Sequence, residues 1–212
     1  MIYLIGGPSR SGKTTVAKKL QYKTGAYLIP LDYIEAAVSE YYPKESLDVL
    51  RPFSAMRREV DRDNAKLVEL FAPRQIIEAY EKQGQSTWAG IQAMITYELQ
   101  RNDSIIVEGY QITPAFVASI LKEHGKTMIR SVFLVKEDRE AILEGWKHAP
   151  ANDWLTQNSN KETLKKYSNL TALYGQYVQA ESKKYDLMCV NTDLEFHQKI
   201  DNALAVLIDT NS

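Results

Sequence analysis

The feature that most constrains this chain is a glycine-rich loop close to its start. Residues 7–14 read GPSRSGKT and match the pattern G-x-x-x-x-G-K-[ST]. An apolar run of β-type residues, IYLIG, precedes the loop, and a segment with helical character follows from Thr15. A strand, a glycine-rich turn and a helix in this order are typical of a phosphate-binding loop, in which backbone N–H groups surround an anion at the helix N-terminus. The alternative is an ordinary glycine-rich turn between a strand and a helix.

The side chains of this loop predict what it binds. A lysine at this place reaches the β- and γ-phosphates of a nucleotide, and the hydroxyl of Thr14 is a ligand for Mg²⁺. We therefore predict ATP and Mg²⁺ as cofactors, with Lys13 also a catalytic residue. The residues predicted to hold the nucleotide are Gly7, Ser9, Arg10, Ser11, Gly12, Lys13, Thr14 and Thr15.

Composition limits the class of protein. A chain of 212 residues, 44% hydrophobic and 25% charged, can bury the core of a single domain with a small insertion. The net charge of -1 argues against a large nucleic-acid-binding surface. No apolar stretch is long enough for a membrane span and no signal-type segment opens the chain, so we expect a cytoplasmic protein without a membrane partner. The single cysteine, Cys189, is expected to be a core residue rather than a nucleophile.

Apolar runs alternate with segments of helical period, which indicates an α/β fold with a doubly wound, five-stranded parallel sheet. Local signals mark several helix ends: Gly25 and Gly125 are expected to terminate helices, and Thr113 followed by Pro114 to begin one. A last helix is expected over residues 194–208. The predicted strands cover residues 2–5, 27–31, 104–107, 129–135 and 187–190.

The second and third predicted strands are separated by far more chain than a crossover helix needs, which is about a dozen residues. This spacing predicts a helical insertion over about residues 33–102 that binds the acceptor. It carries Arg57 and Arg58, which are candidates to bind the acceptor. Adjacent residues on a helix do not share a face, so at most one of the two is expected to reach it. Solvated surface charge is the alternative for both.

At this point the chain resembles a known group. The segments IYLIGGPSRSGKTT and IIVEGYQITP are similar to those of P-loop kinases of the nucleoside-monophosphate-kinase-like group, most of all to its predicted 2-phosphoglycerate kinase and small-molecule kinase subfamilies. The resemblance implies a P-loop NTPase fold over residues 1–212, with a helical cap and a lid. It also implies phosphoryl transfer from ATP to a small-molecule acceptor. The protein is expected to be a monomer or a homodimer.

Two acidic residues stand at predicted strand ends, where open parallel sheets form their ligand crevice. In similar kinases an acid at the position of Asp32 accepts the proton of the attacking hydroxyl or holds metal-bound water. Asp32 could also be the N-cap of a helix that begins near Tyr33, and the two roles are compatible. Glu108 is expected to orient Mg²⁺ beside Thr14, although it could instead meet water or the acceptor, or be purely structural. Tyr110, next to it, is a candidate for the acceptor pocket.

A lid with basic residues is expected after the fourth strand, over about residues 139–162, because charge develops on the transferring phosphoryl group. Arg139 is its candidate catalytic residue and Lys147 lies eight residues further along the same helix. The sequence Ala-Pro-Ala-Asn-Asp at 149–153 breaks this helix before another begins near Lys161. Solvated surface charge is the alternative for these basic residues. Residues 191–193, Asn-Thr-Asp, could lie against adenine or form a plain turn.

Three functions from different classes fit these patterns. The first is a small-molecule kinase with a hydroxyl- or phosphate-bearing acceptor. The second is a GTPase-type switch, which is disfavoured because the chain lacks the N-K-x-D and D-x-x-G motifs. The third is a P-loop protein with a macromolecular target, such as a toxin-type kinase, or one that binds nucleotide only for regulation.

Overall fold

The sheet is parallel throughout and has β1 at its centre. A computed structural model describes residues 1–151 and 153–208 of the chain. The strands are β1 (Ile2–Gly6), β2 (Tyr27–Pro30), β3 (Ile105–Glu108), β4 (Ile129–Val135) and β5 (Cys189–Asn191). Their order across the sheet is β2-β3-β1-β4-β5, and every pair of neighbours is parallel. The predicted five-stranded parallel α/β fold is confirmed.

Helices cover both faces of this sheet. They are α1 (Lys13–Thr24), α2 (Leu31–Ser39), α3 (Leu47–Leu50), α4 (Pro52–Glu59), α5 (Asn64–Leu70), α6 (Pro73–Gln85), α7 (Trp88–Arg101), α8 (Pro114–His124), α9 (Arg139–Lys147), α10 (Trp154–Gln157), α11 (Lys161–Lys184) and α12 (Phe196–Ile208). Helices α1 and α12 bury apolar side chains against one face. Helices α7, α8 and α11 do so against the other.

Several helix ends follow the local signals in the sequence. Thr113 is the N-cap of α8, and its side chain accepts a hydrogen bond from the backbone N–H of Phe116 at 3.3 Å. Pro114 occupies the first helical position, where its missing N–H costs nothing. Gly25 ends α1 in the left-handed conformation, with φ of 72°. These capping predictions are confirmed.

Between β2 and β3 the chain forms α2 to α7, and this helical segment has a core of its own. Phe53, Leu67 and Ile76 from the segment pack there with Trp146 of α9 and Tyr167 of α11. The shared core fixes the segment against α9 and α11, above the carboxyl edge of the sheet. Among the described residues, no helix is long and apolar enough to cross a membrane.

Candidate active site

The loop between β1 and α1 has a backbone that only glycine can follow at two positions. Gly7 and Gly12 have φ of 127° and 104°. A Cβ atom on Gly7 would lie 2.0 Å from the carbonyl oxygen of Leu134, and one on Gly12 would lie 2.6 Å from Cδ1 of Ile200. Both positions therefore disfavour a side chain by conformation, and Gly7 also excludes one by space, because the atom it would meet belongs to the backbone. The result is a narrow cradle of backbone at the N-terminus of α1, a place suited to an anion.

Lys13 lies inside this cradle. Its ammonium group donates a hydrogen bond to the carbonyl oxygen of Pro8 at 2.7 Å, which accepts a second one from the Ser11 hydroxyl at 2.9 Å. Burial lowers the pKa of Lys13, and the carboxylates of Glu108 and Asp32 act in the opposite direction. The lysine is thus a cation aimed into the loop, and only a neutral carbonyl accepts its hydrogen bond.

Thr14 and Glu108 meet beside the loop. In the sheet register Glu108 at the end of β3 stands next to Ile5 of β1, which brings its carboxylate to the start of α1. The Thr14 hydroxyl donates to Oε1 of Glu108 at 3.0 Å. A hydroxyl oxygen next to a carboxylate oxygen is a donor set that suits a hard cation such as Mg²⁺. Across residues 1–151 and 153–208 no group of three His, Cys, Asp or Glu side chains is placed to hold a metal, so an ion here would also need phosphate and water oxygens.

Asp32 lies on the cavity side of the same sheet edge, but its local setting differs from the prediction. Helix α2 begins at Leu31 with Pro30 as its N-cap, so Asp32 is within the first turn. The alternative that Asp32 caps this helix is therefore wrong. Its exposed carboxylate accepts one long hydrogen bond, from Nε2 of Gln111 at 3.5 Å. Asp32 is consequently available to a ligand.

The loop, Asp32, Glu108 and Tyr110 all line one cavity with a volume of about 980 Å³. On the β4 and β5 side of the loop the cavity is lined by Lys136, Asp193 and other polar groups. On the β2 and β3 side it extends to α6 and α11, and α9 and α10 contribute a further wall. Pockets that hold a single drug-sized ligand measure about 300–1,000 Å³. The volume of this cavity lies at the upper end of that range.

Three arginines predicted to act at the site do not line this cavity. Arg139 is exposed at the start of α9. Arg58 is exposed and forms an ion pair with Asp48. The guanidinium of Arg57 lies over the ring of Trp154, with its central carbon 4.1 Å from the ring centroid. Surface charge, the alternative for Arg58 and Arg139, describes what the structure shows.

The region after β4 crosses the cavity, although Arg139 does not point into it. Asp153, the N-cap of α10, forms an ion pair with Arg10 of the glycine-rich loop. Lys147 forms an exposed ion pair with Glu144 on its own helix. The predicted break at 149–153 includes Asn152, which lies outside the described residues. The link between the loop and α10 therefore runs through Arg10, to which the sequence assigned only nucleotide binding.

The segment after β5 holds the loop in place. The Thr192 hydroxyl donates to the carbonyl oxygen of Ser11 at 2.9 Å. The Asp193 carboxylate accepts hydrogen bonds from the backbone N–H groups of Glu137 and Asp138, each at 3.1 Å. These contacts favour the turn interpretation of 191–193, and Asp193 also lines the cavity. Lys136, which the sequence did not single out, lines it as well and donates to the Ala141 carbonyl oxygen at 3.3 Å.

A buried acid that sequence reasoning missed, Glu35, joins several parts of the cavity wall on the β2 and β3 side. Glu35 on α2 accepts hydrogen bonds from Arg51 at 2.8 Å and from Gln83, Tyr110 and Gln111 at 2.6 Å each. Burial and the neighbouring Glu35 carboxylate raise the pKa of Tyr110, so its hydroxyl remains a donor. Tyr110 lines the cavity with its ring while its hydroxyl is committed to Glu35. The only sequence signal for Glu35 was its spacing of three residues from Asp32.

Aromatic side chains form the far wall of the cavity, which we call the aromatic end. Its tyrosines on α11, Tyr167 and Tyr174, are seven residues apart and share one face with Leu170 and Thr171, a spacing that the sequence displayed. The members of the aromatic end are Tyr80, Tyr110, Trp146, Trp154, Tyr167 and Tyr174.

Comparison with known proteins supports the fold. No model of a known protein family matches the chain. The structure resembles that of a sugar kinase from Janibacter sp. HTCC2649, with a TM-score of 0.52 and 15% sequence identity over 97% of this chain and 93% of that one. A shikimate kinase from Bacteroides thetaiotaomicron gives a TM-score of 0.44 and 15% identity over 98% and 96% of the two chains. The first likeness shows a shared fold, and the second is too weak to carry an argument.

Proposed function

We propose that this protein is an ATP- and Mg²⁺-dependent phosphotransferase, a P-loop kinase of the nucleoside-monophosphate-kinase-like group, that acts on a small hydroxyl- or phosphate-bearing acceptor. The observation that carries the proposal is the 3.0 Å contact between Thr14 and Glu108. It lies beside a glycine cradle that contains Lys13 and opens into the cavity that Asp32 lines. A phosphate cradle, a cation site and a carboxylate in one cavity are the parts that phosphoryl transfer requires.

Each side chain has a task in this reaction. Bound ATP and Mg²⁺ supply the phosphoryl group and neutralise the charge on its oxygens. Lys13, which donates to the Pro8 carbonyl in this structure, would donate to the phosphate oxygens of bound ATP. Thr14 and Glu108 would hold the cation. Asp32 accepts the proton of the attacking hydroxyl and orients it.

The shape of the cavity favours a small acceptor over a macromolecular target. Side chains from α6, α10 and α11 line the space beyond Asp32 on several sides, which suits a small acceptor. The fold shared with a sugar kinase is compatible with this class of reaction. The proposal itself rests on the site and not on this likeness.

The proposal is tested by measuring ADP formation with Mg²⁺, ATP and a panel of hydroxyl-bearing metabolites. We expect one compound or a small chemical class to accelerate turnover. Lys13→Ala should abolish that acceleration, because it removes the cation from the phosphate oxygens. The matched control is Lys19→Ala, since Lys19 lies on the same helix and pairs with Asp201 at the surface. Near-normal turnover in Lys13→Ala would end the kinase interpretation.

A further inference from the structure

The aromatic end of the cavity is lined by aromatic side chains that pack on one another. Tyr80 connects its members: its centroid lies 5.2 Å from that of Tyr110 in an edge-to-face pair and 6.1 Å from that of Tyr174 in a nearly parallel one. Trp154 and Tyr167 form a second edge-to-face pair at 6.1 Å. Because these rings come from α6, α10, α11 and the segment after β3, they surround the space beyond Asp32 from several sides.

Two of the tyrosine hydroxyls in this wall are committed to carboxylates of the protein. The Tyr110 hydroxyl donates to Glu35 at 2.6 Å, and the Tyr174 hydroxyl donates to Glu81 at 2.9 Å. Both residues therefore border the cavity while their hydroxyls are bonded to the protein.

The hydroxyl of Tyr167 differs, because it is buried and has no hydrogen-bond partner. A buried hydroxyl without a partner loses the hydrogen bonds that it makes in water. Tyr167 lines the cavity, so a ligand in that space can supply the missing partner. One position on the wall is thus suited to a single polar substituent.

The helical segment between β2 and β3 contributes no arginine to the lining of the cavity. Arg51 is paired with Glu35 at 2.8 Å, and Arg58 with Asp48 at the surface. Arg57 lies against the Trp154 ring and does not line the cavity. None of these arginines lines the cavity, and the Nε of Arg57 is buried beside the Trp154 ring without a hydrogen-bond partner. An acceptor that already carries a phosphate or carboxylate would place that anion among rings, beside the carboxylate of Asp32.

We propose that the acceptor is an uncharged alcohol that bears an aromatic or similarly planar ring. Its hydroxyl lies at Asp32, its ring packs within the aromatic end, and a polar substituent on the ring bonds to Tyr167. This inference rests on the proposed phosphotransferase function, which it narrows from any hydroxyl- or phosphate-bearing compound to one chemical class. Ring faces and edges attract one another, and burying a ring removes apolar surface from water.

Four hydroxyl compounds separate the effect of a ring from that of a charge. They are 3-phenyl-1-propanol, glycerol, 3-phenyllactate and glycerate, titrated by calorimetry against the full-length protein with Mg²⁺ and a non-hydrolysable ATP analogue. We expect 3-phenyl-1-propanol to bind at least about tenfold more tightly than glycerol. We expect the carboxylate of 3-phenyllactate to add no affinity. The proposal is overturned if the two neutral alcohols bind within about threefold of each other, or if glycerate binds best and loses its affinity in Arg57→Ala.

Variants locate the binding. Trp154→Ala should weaken 3-phenyl-1-propanol at least about fivefold, whereas Tyr97→Ala, which removes an exposed ring on α7 outside the cavity, should not. If Trp154→Ala fails to fold, Tyr167→Phe still tests the proposal, because it removes one oxygen only. The probe 3-(4-hydroxyphenyl)-1-propanol should bind about fivefold more tightly than 3-phenyl-1-propanol to the unmodified protein and equally to Tyr167→Phe. Unchanged selectivity in Tyr167→Phe would refute the assigned contact.

Binding of the ring is measured without turnover, so it is read separately from phosphoryl transfer. ATP binding by the unmodified protein and by Lys13→Ala is titrated in parallel. If the protein prefers the ring-bearing alcohol but binds ATP equally with and without Lys13, the ring site is supported and the phosphotransferase function is refuted. If ATP binding depends on Lys13 but the protein shows no preference for a ring, the phosphotransferase function is supported and the ring site is refuted.

Discussion

Replacing Asp32 by Asn tests the proposed proton acceptor with little disturbance of the fold. The side chain is exposed to the cavity, its one hydrogen bond is 3.5 Å long, and it does not cap α2. The main structural loss is the favourable interaction of a negative charge with the first turn of α2, which is worth about 0.3–1 kcal/mol. In a chain of this length that corresponds to a fall in Tm of about 1–4 °C.

The expected effect on catalysis is much larger. An amide keeps the shape of the carboxylate but cannot accept the proton of the acceptor hydroxyl, so turnover should fall on the order of 10²- to 10⁴-fold. This loss corresponds to about 3–5 kcal/mol in the activation free energy. Affinity for ATP should change little, because Asp32 lies on α2 and not in the glycine-rich loop.

The assay is the steady-state rate of ADP formation with the acceptor found by the metabolite panel, together with calorimetric ATP binding and a thermal melt. Asp48→Asn is the matched control, since it removes an exposed carboxylate outside the cavity. A rate for Asp32→Asn within about threefold of the unmodified protein would show that Asp32 is not the base. The hydroxyl would then be oriented by Glu108 or react without a base, as a loose transition state allows.

Three further changes test other parts of the site. Glu108→Gln should raise the Mg²⁺ concentration needed for half-maximal activity about tenfold or more, because one charged cation ligand is lost; superimposable Mg²⁺ titrations would reject that role. Gly7→Ala should unfold the protein or distort the loop, since its Cβ would overlap the Leu134 carbonyl. Gly25→Ala, whose Cβ would have no atom within 4 Å, should lower the free energy of unfolding measured in urea by only about 1 kcal/mol. Equal losses of stability in the two variants would contradict the geometry. Burial raises the pKa of Cys189 to about 11. Because the thiolate is the reactive form, alkylation of Cys189 by iodoacetamide at pH 8 should be on the order of 100-fold slower than that of a free thiol. A rate comparable to that of a free thiol would show that Cys189 is not shielded.

The sheet could be predicted because its strands correspond to continuous apolar runs in the sequence. Parallel strands covered on both faces lack polar alternation, and residues 129–135 coincide with β4 for that reason. Strand ends were harder to place. Leu31 was expected in β2, yet it begins α2, because Pro30 has the extended conformation of an N-cap and cannot continue a ladder of hydrogen bonds.

The glycine-rich loop and the acids at the strand ends could also be placed, since backbone pattern alone brings them to one edge. Side chains that reach the site from other elements could not. Arg57 and Arg139 were chosen for their charge, but the direction in which a helical side chain points depends on how the helix packs. Tyr167, by contrast, borders the cavity but was not predicted to do so. Its ring belongs to a core shared by three parts of the chain, and no local sequence pattern shows that such a ring also borders a cavity.

The hydrogen bonds to Glu35 divide the cavity wall into parts that differ in how freely they can change. Its carboxylate depends on four donors from three segments of the chain. Removing one partner of a buried ion pair, such as Arg51, costs about 3–5 kcal/mol. Tyr80 and Trp154 border the same space but take no part in those bonds. Exchanging these rings for other apolar side chains would alter which compounds fit while leaving the anchorage of α2 and α6 intact. Variants with altered acceptor preference should therefore be sought at these two rings.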